Sequence, residues 1–309
     1  MPLFLTEADV GALVSPGEAV EAIEASFRRL AAGAVENRPR YRVKLDEGAM
    51  AVMSAADLEL GYAGAKVYTA FAEGARFVVS LFRSDRPELS ALIEADKLGQ
   101  LRTGAASGVA AKYLAREGAQ SLGVLGCGWQ ARGQVAAIRA AVPSIERVVA
   151  YCRTEAKLRE FCSEVGAESA ESPAEAAQRE VVVTVTNSRD PVLRGEWLEP
   201  GALVCAVGAN NPRARELDNV VLERAVFVCC DSIEQAKIES GDLIEPIASG
   251  VLDWLEVHEL QEVVAGEVSG RSSPDDIVLF KSNGLAAWDV ALGAFVVEKA
   301  RAEGHGTRL

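Results

Sequence analysis

A doubly wound α/β domain joined to a smaller mixed α+β domain is the fold predicted by this 309-residue sequence. Three observations carry it. Over residues 121–280, Val-rich runs of strand length alternate with helical segments, the pattern of a parallel sheet covered on both faces. The first of these runs passes directly into a glycine turn, Gly126-Cys-Gly-Trp-Gln-Ala131, that opens a helix. Before it, over 40–82, short apolar runs broken by glycine read as an antiparallel sheet.

Taken in order, the amino-terminal block opens with helices. Ser15-Pro16-Gly17-Glu18 is a start signal, with Ser15 as N-cap, Pro16 at the first helical position and Glu18 reaching back as the capping-box acid. Val20, Ile23, Phe27, Leu30 and Ala31 then share one face, and Gly33 ends the helix. Arg40 is expected just before the antiparallel strands and Lys66 inside one of them. The stretch 103–116 is helical in pattern but crowded with Gly, Ala and Ser, which lets another backbone or a ligand approach closely. Parallel strands are predicted over 121–125, 147–152, 181–186, 202–207, 225–231 and 277–280, with helices over 132–141 and 155–165 among the connections. A final apolar-striped helix over 284–302 (Leu285, Trp288, Leu292, Phe295, Val296) is predicted to return to the first block. The expected domains are therefore 1–115 with 286–309, and 116–285, which contains the glycine turn.

Composition excludes several function classes. The chain has 32 Lys+Arg against 45 Asp+Glu, a net charge of −13. That opposes binding to nucleic acid or to an anionic membrane, both of which need a basic surface. No apolar run approaches the ~18 residues of a membrane span, so a soluble cytoplasmic protein is expected. Only two histidines occur, His258 and His305, which disfavours a His-type zinc site, a Ser-His-Asp triad and a Cys-His pair. The six cysteines contain no C-x-x-C and read as buried reduced thiols. No metal is expected.

The glycine turn carries the clearest chemistry. Gly126 permits the tight turn, Gly128 lets the backbone approach a pyrophosphate, and Ala131 packs close to the strand. The free N–H groups of the helix start then hold phosphate. At the end of the second strand stands Tyr151-Cys152-Arg153-Thr154, with no acid before Glu155. A guanidinium beside a hydroxyl suits a 2′-phosphate better than a free 2′-hydroxyl, so NADP(H) is favoured over NAD(H). Lys66 is flanked by Gly64-Ala65 and Val67-Tyr68, small or apolar neighbours that make its charge unusual there.

Together these residues carry a resemblance. Arg40, Gly64-Ala-Lys66, Leu101-Arg102-Thr103-Gly-Ala-Ala-Ser107, Gly126-Cys-Gly-Trp-Gln-Ala131, Gly208-Ala-Asn210 and Phe280-Lys-Ser282 make the sequence similar to the ornithine cyclodeaminase/mu-crystallin family over about 40–289. The resemblance implies a two-domain homodimer in which Arg40, Lys66 and Arg102 surround a substrate carboxylate and the reacting nitrogen. It implies that Thr186, Asn187, Val207, Gly208 and Ser282 lie at nicotinamide and ribose, while Trp129 and Gln130 belong to the cofactor-binding glycine turn. Arg76 falls where some members meet the NADP phosphate. Within the glycine turn Trp129 reads as a packing or dimer contact rather than a stack on the cofactor.

One departure bears on the activity. Cyclodeaminases of this family place an aspartate where this chain has Asn210, whose amide can hydrogen-bond a substrate but cannot accept its proton. The expected activity is therefore reduction of a small α-imino acid or oxidation of an α-amino acid. Ornithine cyclodeaminase, and a dinucleotide-dependent binding protein of mu-crystallin type, are the alternatives. Cys127 at a helix start is a possible thiolate, inert packing being the plainer reading. Cys229-Cys230 is expected in a buried strand, His258 at a surface or dimer edge, and Asp231 and Asp242 in loop geometry, Asp242 as a cap.

Overall fold

The computed structural model describes all residues, 1–309. The chain divides into two compact units, Met1–Arg102 with Gly284–Leu309, and Thr103–Asn283. This places 103–115 with the second unit rather than the first. The reason lies within that unit: a Cβ on Gly104 would stand 2.2 Å from the Gly133 carbonyl oxygen, so the small-residue helix lies directly on the helix after the glycine turn.

The first unit contains β1 (Leu3–Leu5), α1 (Glu7–Leu13), α2 (Pro16–Ala31), β2 (Val35–Lys44), β3 (Ala49–Asp57), β4 (Tyr62–Phe71), β5 (Gly74–Arg83), β6 (Leu89–Glu94) and the start of α3 (Asp96–Leu114). The second contains β7 (Ser121–Leu125), α4 (Trp129–Ala141), β8 (Arg147–Tyr151), α5 (Glu155–Val165), β9 (Glu168–Ser169), α6 (Pro173–Ala177), β10 (Val181–Thr184) and β11 (Leu203–Ala206). It continues with α7 (Asn219–Arg224), β12 (Ala225–Cys230), α8 (Ile233–Glu239), α9 (Gly241–Ala248), β13 (Val257–Glu259), α10 (Leu260–Ala265) and β14 (Ile277–Lys281). The chain then returns to the first unit with α11 (Ala286–Glu303) and β15 (Thr307–Arg308). No helix is long and apolar enough to cross a membrane.

In the first unit the sheet order is β15-β1-β6-β5-β4-β3-β2, antiparallel except for the β1–β6 pair. Helix α2 begins at the expected capping box: the Glu18 amide donates to Ser15 Oγ (3.3 Å) and the Ser15 amide to Glu18 Oε2 (2.9 Å). The chain does not open with helices, because Leu3 and Leu5 are buried and β1 pairs with the distant β6. A three-residue strand leaves no periodic signal. Helix α11 is buried around most of its circumference rather than along one stripe, since it packs against β3, β4 and α2 at once. Trp288 meets Phe27 edge-on with ring centroids 5.3 Å apart.

The second unit is a wholly parallel sheet in the order β13-β12-β14-β11-β10-β7-β8-β9. Strands β9-β8-β7-β10-β11-β14 reproduce the 3-2-1-4-5-6 order of doubly wound nucleotide-binding sheets, extended by β12 and β13. All four residues of β10 and of β11 are buried, which is why both read as unbroken apolar runs. Cys205, Cys229 and Cys230 lie in this core, and burial pushes the Cys205 thiol up to about 12.

Candidate active site

Lys66 is carried inward by β4, where buried and half-exposed positions alternate. It is 3% exposed, and its Nζ lies 3.0 Å from Asp289 Oδ1 on α11. The same oxygen accepts from Arg102 Nε at 3.2 Å. Helix α3 admits the ammonium because residue 99 is glycine; a Cβ there would stand 3.0 Å from Nζ. Arg102 is accommodated similarly at Gly284, whose φ of +82° favours glycine and whose added Cβ would meet the guanidinium at 2.5 Å. Arg102 lies within α3 rather than at its start, because the helix begins at Asp96.

Arg40 also differs from its expected place. It lies inside β2, not before it, and is the one residue of that strand that is buried. The pairing Arg38↔Ser54 is followed by Tyr41↔Val52, so Pro39-Arg40 forms a bulge. A bulge re-aims a side chain, and proline fits there because it has no amide hydrogen to lose. The result is a buried cation close enough to act on Lys66.

Electrostatics follow from this packing. Burial lowers the Lys66 pKa, Asp289 opposes that effect, and Arg102 and Arg40 reinforce it, leaving the ammonium at about 8. Burial pushes Asp289 upward, but Arg102 and Lys66 outweigh it and hold the carboxyl below its usual range. The second oxygen of Asp289 is buried without a hydrogen-bond partner. The cluster thus joins three cations, one of them titrating near neutrality, around one carboxylate. Such a site favours a small anion bearing a nitrogen that exchanges a proton. Sequence reasoning missed Asp289, although a lone acid in the apolar run Gly284-Leu-Ala-Ala-Trp-Asp-Val-Ala was a signal.

The second unit carries the glycine turn at the carboxyl end of β7. Gly126 adopts φ +120°, and a Cβ there would lie 2.5 Å from the Val185 carbonyl oxygen. Gly128 is the N-cap of α4 and supplies no side-chain cap. Nothing lies within 4 Å of a Cβ placed on Gly128, which leaves room at the helix start for a phosphate to approach the amides there. Ala131 is fully buried, Gln130 half-buried, and Trp129 46% exposed. Burial and the neighbouring Cys152 push the Cys127 thiol well above its usual range, so the helix start does not hold it as a thiolate.

Arg153 and Thr154 are exposed beyond the end of β8, with Thr154 as the N-cap of α5. Thr186 and Asn187 follow β10, while Val207, Gly208 and Asn210 follow β11; Asn187 and Asn210 are exposed. Ser282 is buried after β14 and donates to Asp231 Oδ2 at 3.1 Å. Arg76 lies in the first unit, exposed near the β4–β5 hairpin tip, opposite Thr69. Asp242 is not a simple cap: it accepts the Glu216 and Leu217 amides and lies 3.0 Å from Lys281 Nζ, wholly buried. His258 is half-buried, stacked on Phe227 and bonded to Glu262.

Comparison with known proteins gives a consistent family. The sequence profile described as ornithine cyclodeaminase/mu-crystallin family matches residues 1–304. An alanine dehydrogenase of Archaeoglobus fulgidus is 37% identical over 319 residues, covering 99% of this chain and 98% of the relative. The structure of Thermococcus litoralis Δ1-pyrroline-2-carboxylate reductase with NADH and L-proline superposes with TM-score 0.94 at 31% identity, covering 99% of this chain and all of that one. An archaeal alanine dehydrogenase dimer with bound NAD superposes with TM-score 0.93 at 34% identity, covering 100% of this chain and 98% of that one.

Proposed function

This chain belongs to the ornithine cyclodeaminase/mu-crystallin family, and from that premise we propose that it is an NAD(P)-dependent oxidoreductase acting on the C–N bond of small α-imino or α-amino acids. The observation that carries the reading is the buried Lys66, with a pKa of about 8 and Arg40, Arg102 and Asp289 around it. Of two relatives with this fold, one has a solved structure in complex with NADH and L-proline and the other with bound NAD.

The dinucleotide, when bound, supplies or accepts the hydride. Everything else falls to this chain's side chains and amides. The Gly126–Gly128 turn and the α4 amides would hold the pyrophosphate, and Thr186, Asn187, Val207, Gly208 and Ser282 would contact the ribose and nicotinamide. Arg40 and Arg102 grip the substrate carboxylate, fixing the carbon–nitrogen bond in one orientation. Lys66 gives a proton to the nitrogen as an imine is reduced and takes it back in the reverse direction. Asp289 holds the ammonium in place, and where cyclodeaminases of the family carry an aspartate this chain carries Asn210. Because an amide cannot accept the proton that cyclodeamination requires at that position, a net redox reaction is favoured over ring closure of ornithine.

Two finer features complete the proposal. Arg153, exposed and in no salt bridge, favours a 2′-phosphate, so NADPH binds more tightly than NADH. A second copy of the chain covers the outer face of the first unit's sheet, where Val78 and Phe82 are 44% and 43% exposed beside Ala63, Ala65 and Val67. The archaeal alanine dehydrogenase relative is a dimer.

A cofactor-oxidation panel tests the activity. NADPH and NADH are offered with pyruvate plus ammonia or methylamine, with cyclic imine carboxylates, and with ornithine while ammonia is followed. Consumption of reduced cofactor with an imino acid is expected. Turnover of ornithine alone without net cofactor change overturns the reading in favour of cyclodeamination, and tight cofactor binding without any turnover points to a binding protein.

A further inference from the structure

Beneath the loops after β10 and β11 lies a buried charge cluster. The Glu216 carboxylate accepts from Thr184 Oγ1 (3.0 Å), the Thr186 amide (2.6 Å), Thr186 Oγ1 (2.8 Å), the Gly208 amide (2.7 Å) and the Ala209 amide (3.2 Å). Gly208 is required there, since a Cβ would stand 2.3 Å from the Thr186 carbonyl oxygen and 2.5 Å from Glu216 Oε1. Asp242 Oδ1 accepts the Glu216 and Leu217 amides at 2.7 and 3.0 Å. Its Oδ2 lies 3.0 Å from Lys281 Nζ, which donates to the Ala209 carbonyl at 2.6 Å. Glu216, Asp242 and Lys281 are all 0% exposed.

All five hydrogen-bond partners named for Glu216 are donors. A carboxylate satisfies all five, whereas a protonated carboxyl would leave its own hydrogen facing donors. Burial, with the neighbouring Asp242, pushes the Glu216 carboxyl above its usual range; Lys281 and the Thr186 donors pull it back, and the donor-only surroundings are what hold the charged form. Two carboxylates and one ammonium leave the cluster with one net negative charge, shielded from solvent ions.

Its position gives that charge a function. In a sheet of this order the dinucleotide straddles β7, with one nucleotide over β8 and the other over β10 and β11. Arg153 lies on the β8 side, so the nicotinamide falls to the loops that Glu216 braces. An oxidised nicotinamide ring carries a positive charge that the reduced ring lacks. We propose that the buried Glu216–Asp242–Lys281 cluster favours the oxidised over the reduced dinucleotide and so biases the poise of the bound cofactor. This rests on the dinucleotide-binding reading above, and its test separates the two.

The measurement is the dissociation constant of oxidised and of reduced dinucleotide, by calorimetry and by reduced-nicotinamide fluorescence, for the wild type, Asp242→Asn and Glu216→Gln. Asp242→Asn keeps an oxygen for the two amides and confines the change to the side facing Lys281, so it spares the loops that Glu216→Gln disturbs. In both variants the ratio of oxidised to reduced Kd should rise about tenfold, as removal of one buried charge implies. Equal weakening of both forms, or an unchanged ratio, overturns the proposal and leaves the cluster a purely mechanical brace. A wild type that binds neither form overturns the dinucleotide reading itself.

Discussion

Lys66 Nζ lies 3.0 Å from Asp289 Oδ1 although 223 residues separate them in the chain. The pair joins a strand near the start to a helix near the end, and it keeps a wholly buried ammonium protonated to about pH 8. Removing the carboxylate's charge leaves burial, Arg102 and Arg40 all acting in one direction. In Asp289→Asn the Lys66 pKa therefore falls below about 8, and the limb of the reductive pH–rate profile that needs protonated Lys66 moves to lower pH. At pH 7.5, kcat/KM falls roughly 10- to 100-fold, no more than the full loss of a positioned acid would cost. An alkaline limb that stays in place would exclude Lys66 as the proton donor.

The open N-cap of α4 gives an opposing pair of effects in one variant. Gly128→Asp places a favoured capping side chain where nothing lies within 4 Å, so the melting temperature should hold or rise slightly. The same carboxylate occupies the phosphate cradle, and dinucleotide affinity should drop by about 100-fold or more, as loss of a charge-assisted contact implies. Thermal melting with cofactor titration checks both. Undiminished affinity would move the pyrophosphate away from this turn.

On the proposed reading Arg153 sets the preference between the two dinucleotides. Arg153→Asp should weaken NADPH about 10- to 100-fold, the range for hydrogen bonds to a charged group, while NADH is held or improved. Apparent dissociation constants for both reveal the outcome. Unchanged NADPH affinity removes the basis for the 2′-phosphate assignment.

The outer sheet face is tested by charge. Val78→Lys with Phe82→Glu should convert a dimer to a monomer in light scattering, because two charges would then be buried at a closely packed contact. A wild type of monomeric mass, or a double variant that remains dimeric, rejects that face as the contact.

How much of this was legible in the sequence depends on how local each signal is. Ser15-Pro16-Gly17-Glu18 specifies its own helix start through hydrogen bonds three residues apart, and the glycine turn through the φ that Gly126 alone tolerates. The parallel strands were visible because burial on both faces demands unbroken apolar runs. Arg40 was misplaced because its inward aim depends on a shift in pairing with β3, which no periodicity in β2 records. Asp289, Glu216 and Lys281 were passed over because each acts on groups far away in sequence, and a charge inside an apolar run reveals that it has a partner without naming it. The split between Arg102 and Thr103 was hidden for another reason: α3 is one continuous helix whose two ends pack in different units.

The return of the chain has a consequence for biogenesis. While the ribosome is still adding residues beyond 283, the parallel-sheet unit already has every strand it needs, but the earlier-made unit lacks the helix that fills its interior and the strand that pairs with β1. Birth order and maturation order are thus reversed, and the part synthesised first waits longest. Until α11 docks, Lys66 has no counter-ion from Asp289, so the buried ion pair is assembled only after the parallel-sheet unit has been made.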